Sequence, residues 1–175
     1  MVHGLVRQFL TDVEWGELDY LVVDMPPGTG DAALTLTQQA PLSGAVIVTT
    51  ANELSLIDAR KGLKMFEKVQ VPVLGIVENM AYFTPPDLPD RRYHLFGEGG
   101  ARRAAEELGV DFLGEVPFDP RIVEGGDAGR PIVLAAPDSE AAQAFREIAA
   151  KVVRKLAVLA ERTPEIADAN ITWVT

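Results

Sequence analysis

Cysteine is absent from the 175 residues, which excludes a disulfide framework, a zinc ribbon and any iron–sulfur cluster held by this chain's own thiolates. Histidine is nearly absent too: only His3 and His94 occur, and both read as surface residues. Basic residues are outnumbered 16 to 26, giving a formal charge of −10. That balance argues against a nucleic-acid footprint, but not against ATP, because a backbone nest or one basic residue can hold a polyanion locally. No apolar run approaches the eighteen or so residues of a spanning helix, and the opening MVHGLVRQFLTDVEW has no apolar signal core. The expected setting is soluble and cytoplasmic, without a membrane partner. Also lacking are a G-x-S-x-G elbow, an H-E-x-x-H pair, a G-x-G-x-x-G turn after a strand and any internal repeat.

What is present is an ordinary globular composition, 47% apolar and 24% charged, in a length that suits one domain. A chain of this size buries roughly 70% of its unfolded surface. Short apolar runs alternate with segments of helical period. Residues 20–24 (YLVVD), 44–50 (GAVIVTT), 71–77 (VPVLGIV) and 112–116 (FLGEV) read as strands. Their runs are continuous rather than alternating, as expected for strands covered on both faces.

Between them, Asp31 is placed to cap a short helix through about Gln39. Leu54, Ile57, Leu63, Phe66 and Val69 form a helical stripe, and residues 101–108 form a helix stopped by Gly109. The longest helix starts at Asp138-Ser139-Glu140 and runs to about Glu161, with Phe145, Ile148, Val152, Leu156 and Leu159 inward. Strands alternating with helices predict an α/β fold, a mostly parallel sheet with helices on both faces. The proline-rich loop 84–90 and the tail 163–175 interrupt this order; the domain is expected to occupy residues 1–162.

In such sheets the ligand site lies beyond the carboxyl ends of the strands. Asp24 ends the first run and is followed by MPPGTGD. A carboxylate fixed there can hold a magnesium-bound water, and Gly28 and Gly30 let backbone N–H groups approach a phosphate. Read alone, the same residues make a strand-capping acid and a stiff turn. Asn79 ends the third run; its amide donates and accepts together, which suits an adenine edge, but it also suits a turn. Gly97-Glu98-Gly99-Gly100 reads as a flexible helix entry, and Lys61, Lys64 and Lys68 as a solvated face.

The complete string DMPPGTGD resembles the switch II segment of the Mrp/ApbC iron–sulfur cluster carriers, within the MinD-like P-loop ATPases. VHGLVRQFLTDVEWGELDYLVVD, VIVTTANELSLIDARKGLKMFEKVQVPVLGIVENMAYF and LFGEGGARRAAEELGVDFLGEVPFDPRIVEGGDAGRPIV resemble the same family, so the likeness covers nearly all of residues 2–137. It implies a MinD-like P-loop NTPase fold of which this chain is the C-terminal portion. It gives Asp24 the Walker B role with magnesium through water, Gly28 a γ-phosphate-sensing backbone role and Asn79 the adenine edge. Pro117 and Asp119, in the loop PFDP, fall in the segment beside the base, where Asp119 reads equally as a helix cap. ATP and magnesium as cofactors, a homodimer with ATP at its interface and iron–sulfur client proteins follow from the same likeness.

Two departures stand out. No G-x-x-x-x-G-K-[ST] occurs, and the chain opens at an internal point of the family pattern. Where family members commonly carry C-x-x-C, this sequence reads TPPDLPDRRYH, and His94 and the acids there are poor substitutes for thiolates. The alternative to a carrier is therefore a catalytically inert interaction or dimerisation module that retains the fold. A strand that the family places beside residues 20–24 has no counterpart here, so an apolar strand edge should be left open and the chain should self-associate through it.

Overall fold

The computed structural model of the protein describes residues 8–9, 12–25, 36–37, 40 and 42–162. Three strands, β1 (Ala45–Thr49), β2 (Val73–Asn79) and β3 (Phe112–Val116), form one parallel sheet in the order β1-β2-β3. They are joined by α1 (Glu53–Lys68) and α2 (Gly100–Leu108), and followed by α3 (Pro120–Asp127), α4 (Ile132–Ala135) and α5 (Glu140–Arg162). The α/β class, parallel pairing and two covered faces expected from the sequence are all present.

Burial explains the strand sequences. β2 is the middle strand, and its five central residues are buried. On one face Ala45, Ile47 and Ile76 meet Leu56, Ala59 and Phe66 of α1 and the small residues Ala101, Ala104 and Ala105 of α2. On the other, Val77, Leu113 and Val116 meet Ile148 and Val152 of α5. Lys151 adds a charge-assisted bond from Nζ to the Leu113 carbonyl at 2.6 Å. β1 differs: its residues alternate, and Val46 and Val48 are 36% and 60% exposed on the face that α5 does not reach.

Local signals set the helix ends. Asn52 caps α1 by accepting from the Leu54 N–H at 2.9 Å. Ser139 caps α5, its Oγ accepting from Ala142 N–H at 3.2 Å. Gly109 stops α2 in the left-handed conformation, φ 68°, as the sequence predicts.

Several expectations need correction. Residues 20–24 do not form a strand: they run irregularly, with Tyr20 53%, Val22 90% and Val23 39% exposed. An apolar run becomes a strand only when a neighbour completes its ladder, and no strand lies beside it among the described residues. The α1 stripe is right at Leu63, Phe66 and Val69 and wrong in its first turns, where Leu54 and Ile57 are exposed and Leu56 and Ala59 face the core instead. Phe145 is also exposed, since α5 covers only β3 and part of β2. Of the helix expected over 31–39 only Leu36 and Thr37, both helical, are described; the tail 163–175 lies outside the described residues.

Candidate functional site

The carboxyl ends of β1 and β2 open onto a cleft of about 460 Å³. It is lined by β1 from Val46 to Thr50, by α1 residues between Ser55 and Phe66, and by Asn79 and Met25. Thr50 donates from Oγ1 to Ser55 Oγ at 2.8 Å, tying the end of β1 to the first turn of α1.

Asn79 is half-buried at the end of the middle strand and lines this cleft. Its Oδ1 accepts from the Met80 N–H at 3.0 Å, and Met80 takes the left-handed conformation, φ 52°. The turn reading of Asn79 is met, and the residue also lines the cleft. Beyond it, the Ala81 N–H donates to the Val116 carbonyl at 3.0 Å and the Phe118 N–H to the Tyr82 carbonyl at 2.7 Å. These bonds carry the parallel ladder past the strand ends and bring residues 79–83 beside 116–119.

In that second segment Pro117 is buried, while Phe118 is 38% exposed and packs edge-on against Phe83 at 6.0 Å. Asp119 caps α3: Oδ1 accepts from the Arg121 N–H at 3.0 Å, and both carboxylate oxygens meet the Arg121 guanidinium. The guanidinium, more than the backbone bond, holds the Asp119 carboxyl below its usual range. Asp24 is exposed in the irregular segment, and only its neighbour Met25 reaches the cleft. Gly28 lies outside the described residues. Asn79 and the 116–119 segment therefore adjoin through the extended ladder, of which only Asn79 lines the cleft, while Asp24 is exposed one residue before Met25.

Two features escaped the sequence reading. Glu78 is 1% exposed, and its Oε2 accepts from the Ala101 N–H at 2.8 Å, with the Gly99 N–H as a further donor. It takes the place of an N-cap side chain for α2, which begins at a left-handed glycine with none of its own. Burial raises the Glu78 carboxyl above its usual range, against the pull of those two amides. The only signal in the sequence is an acid inside an otherwise apolar run.

The second feature is the segment around the proline-rich loop 84–90. Phe83 and Tyr93 exchange backbone bonds of 2.9 Å, closing residues 84–92 into a loop. Arg92 lies 4.1 Å over the Tyr82 ring and pairs with Glu140, which also accepts from the Tyr82 hydroxyl at 2.8 Å. His94 is tied by Nδ1 to the Ala81 carbonyl at 3.0 Å. Side chains thus pin this segment to the start of α5. Burial first, then the bond to Glu140, pushes the Tyr82 phenol up to about 12. Spectrophotometric titration of the three tyrosines should show one ionising near 12, lost in Tyr82→Phe.

Among the described residues no three His, Cys, Asp or Glu side chains gather closely enough to hold a metal ion, and no helix is long and apolar enough to cross a membrane.

Residues 1–153 match the family described as "ParA: NUBPL iron-transfer P-loop NTPase". The chain belongs to that family. It is 59% identical over 160 residues to an iron–sulfur cluster carrier protein of Synechocystis, an alignment covering 91% of this chain and 45% of that relative. The fold superposes with a TM-score of 0.66 and 48% identity on a nucleotide-binding protein in complex with ADP from Archaeoglobus fulgidus, covering 74% of this chain and 53% of the other. The septum site-determining protein MinD complexed with Mg-ADP from Pyrococcus horikoshii shares the fold at a TM-score of 0.63 and 23% identity, covering 91% of this chain and 58% of that one. The chain thus spans about half the length of the relatives it matches.

Proposed function

We propose that this chain is the base-binding and dimer-forming portion of an ATP-binding iron–sulfur cluster carrier of the Mrp/ApbC type, acting as a homodimer on client proteins in the cytoplasm. The observation that carries the reading is the placement of Asn79: the end of the middle strand, on the cleft, with the 116–119 segment hydrogen-bonded alongside. A carboxamide there can pair with an adenine edge, and Phe118 offers an exposed ring beside it. The sequence likeness to carrier proteins supports the cargo. The cluster itself is cargo, and with no cysteine this chain cannot supply its thiolates.

ATP, when bound, would supply conformational drive through its phosphates. Asp24 and Gly28 are the residues proposed for that end, Asp24 toward magnesium through water. This chain's own described residues orient the base. Binding should therefore depend on adenine and little on phosphate number. Equilibrium dialysis with ATP, ADP and AMP should give weak, similar affinities, each reduced roughly tenfold or more by Asn79→Ala. A strong preference for ATP would place the recognition elsewhere. Hydrolysis should not exceed a buffer blank, because no P-loop lysine stabilises the transferring phosphoryl group; turnover abolished by Asp24→Ala would refute this. Anaerobic reconstitution should leave the chain without stoichiometric iron and sulfide.

The second reading, an inert interaction module, is favoured by the exposed position of Asp24 and the pinned loop 84–92. Absence of any nucleotide binding in the same dialysis would select it.

A further inference from the structure

We infer that Glu78 is a positioning residue for the base end of the site: its carboxylate fixes the glycine turn 97–100, and through that turn the backbone at Thr50–Asn52, without touching the ligand. For the ligand this rests on the base-binding reading above; the coupling of Glu78 to residues 50–52 does not.

Glu78 and Asn79 are neighbours at the end of the middle strand, and of the two only Asn79 lines the cleft. The Glu78 side chain is instead buried, held by the Ala101 and Gly99 amides. A buried carboxylate is costly even when its oxygens are bonded, and capping a helix does not require one. Asn52 and Asp119 cap α1 and α3 from the adjoining residue, by a bond to the backbone two positions on. A cap that reaches from the sheet across 23 residues does something further: it ties the start of α2 to the end of β2.

That tie has a load. Gly100 meets Ala51 backbone to backbone, so closely that a Cβ on Gly100 would stand 2.4 Å from the Ala51 carbonyl oxygen and 2.8 Å from its Cα. Gly97 approaches the same residue, a Cβ there lying 3.5 Å from Ala51 Cβ. Arg103 braces the turn by donating from Nη1 to the Glu98 carbonyl at 3.0 Å. Ala51 in turn stands between Thr50, which lines the cleft and is bonded to Ser55, and Asn52, which caps α1. Packed backbones have no side chain to yield, so a shift of the turn is passed to residue 51 and not absorbed. Asn79 by covalent adjacency and Thr50 by this relay are thus referenced to one carboxylate, the kind of support that holds ligand-facing groups in register.

Amide NMR spectra of the full 175-residue chain, without nucleotide, test the relay in wild type, Glu78→Gln and Glu78→Ala. The expected result is a shift of the Thr50, Ala51 and Asn52 amides and of the Asn79 carboxamide, smaller in Glu78→Gln than in Glu78→Ala. Glu78→Gln, which keeps one acceptor oxygen, carries the test if Glu78→Ala does not fold. Equilibrium dialysis with AMP should show affinity reduced roughly fivefold by Glu78→Ala and largely restored in Glu78→Gln. Shifts confined to residues 97–104, with residues 50–52 and Asn79 unmoved, would overturn the proposal and leave Glu78 a helix cap alone. Equal AMP affinity in all three proteins would overturn its role toward the base. Absence of AMP binding in wild type would defeat the base-binding reading, and the relay would then stand or fall on the amide shifts.

Discussion

Glu78→Ala should lower the unfolding free energy by about 3 kcal/mol, measured by urea denaturation. The carboxylate is buried, and removing it strands the Ala101 and Gly99 amides at the start of α2 and leaves a cavity below them. Glu78→Gln keeps one acceptor oxygen and should cost about 1 kcal/mol. The pair also carries a pH signature. The folded-state value of Glu78 is raised above the ordinary 4.5, so the folded state binds its proton more tightly than the unfolded state. The associated stability is fully present below 4.5 and is lost as pH rises through the raised folded value. Unfolding curves at mildly acidic and mildly alkaline pH should show this decline in the wild type and a smaller one in Glu78→Gln. Equal stability of Glu78→Ala and wild type would mean that α2 is capped by something else.

Gly75→Ala should be the most damaging small substitution, with a loss of about 3–5 kcal/mol. Gly75 lies in the middle strand at φ 150°, a conformation that L side chains rarely adopt. A Cβ there would stand 2.4 Å from the Asp111 carbonyl oxygen and 2.8 Å from Leu113 Cγ. The oxygen cannot yield, because it accepts the Ile76 N–H at 2.8 Å and so holds β2 to the segment leading into β3. Set against a total stability of about 5–15 kcal/mol, the loss leaves little reserve, and the thermal midpoint should fall by about 6–20 degrees. A variant melting within a few degrees of wild type would show that β2 and β3 can slide apart at this point.

The three strands of the sheet were legible because burial on both faces writes itself as a continuous apolar run, and the runs at 44–50, 71–77 and 112–116 became β1, β2 and β3 within two residues. Residues 20–24 carry the same pattern and are not a strand. The pattern records what a segment can bury, whereas a ladder also needs a neighbour, and that neighbour is not a property of the run. The Asp119-Pro120 cap was legible because its donor lies two residues away. The Glu78 cap was not, because its donor lies 23 residues away, and the pairing exists only once β2 and α2 have packed. The inward residues of the first turns of α1 were missed for a related reason. Leu54 and Ile57 make as good a helical row as Leu56, Ala59 and Leu63, and only the sheet chooses between them. At the candidate site, Asn79 and the 116–119 segment could be placed by the rule that ligands sit at carboxyl strand ends.

The order β1-β2-β3 is also the order of synthesis, and this bears on kinetics. Each strand pairs with the strand before it in the chain, across a single intervening connection and helix, so closing each loop costs little chain entropy. Relative contact order is correspondingly low for a parallel sheet, and refolding should belong with the faster mixed α/β domains. β1, α1 and β2 can form a hairpin-sized nucleus of their own, onto which α2 with β3, and then α5, add at one growing edge. Growth in that direction adds each new strand on the β3 side, so among the described residues β1 and α1 are the oldest part of the sheet and the α5 contacts with β3 the last to form.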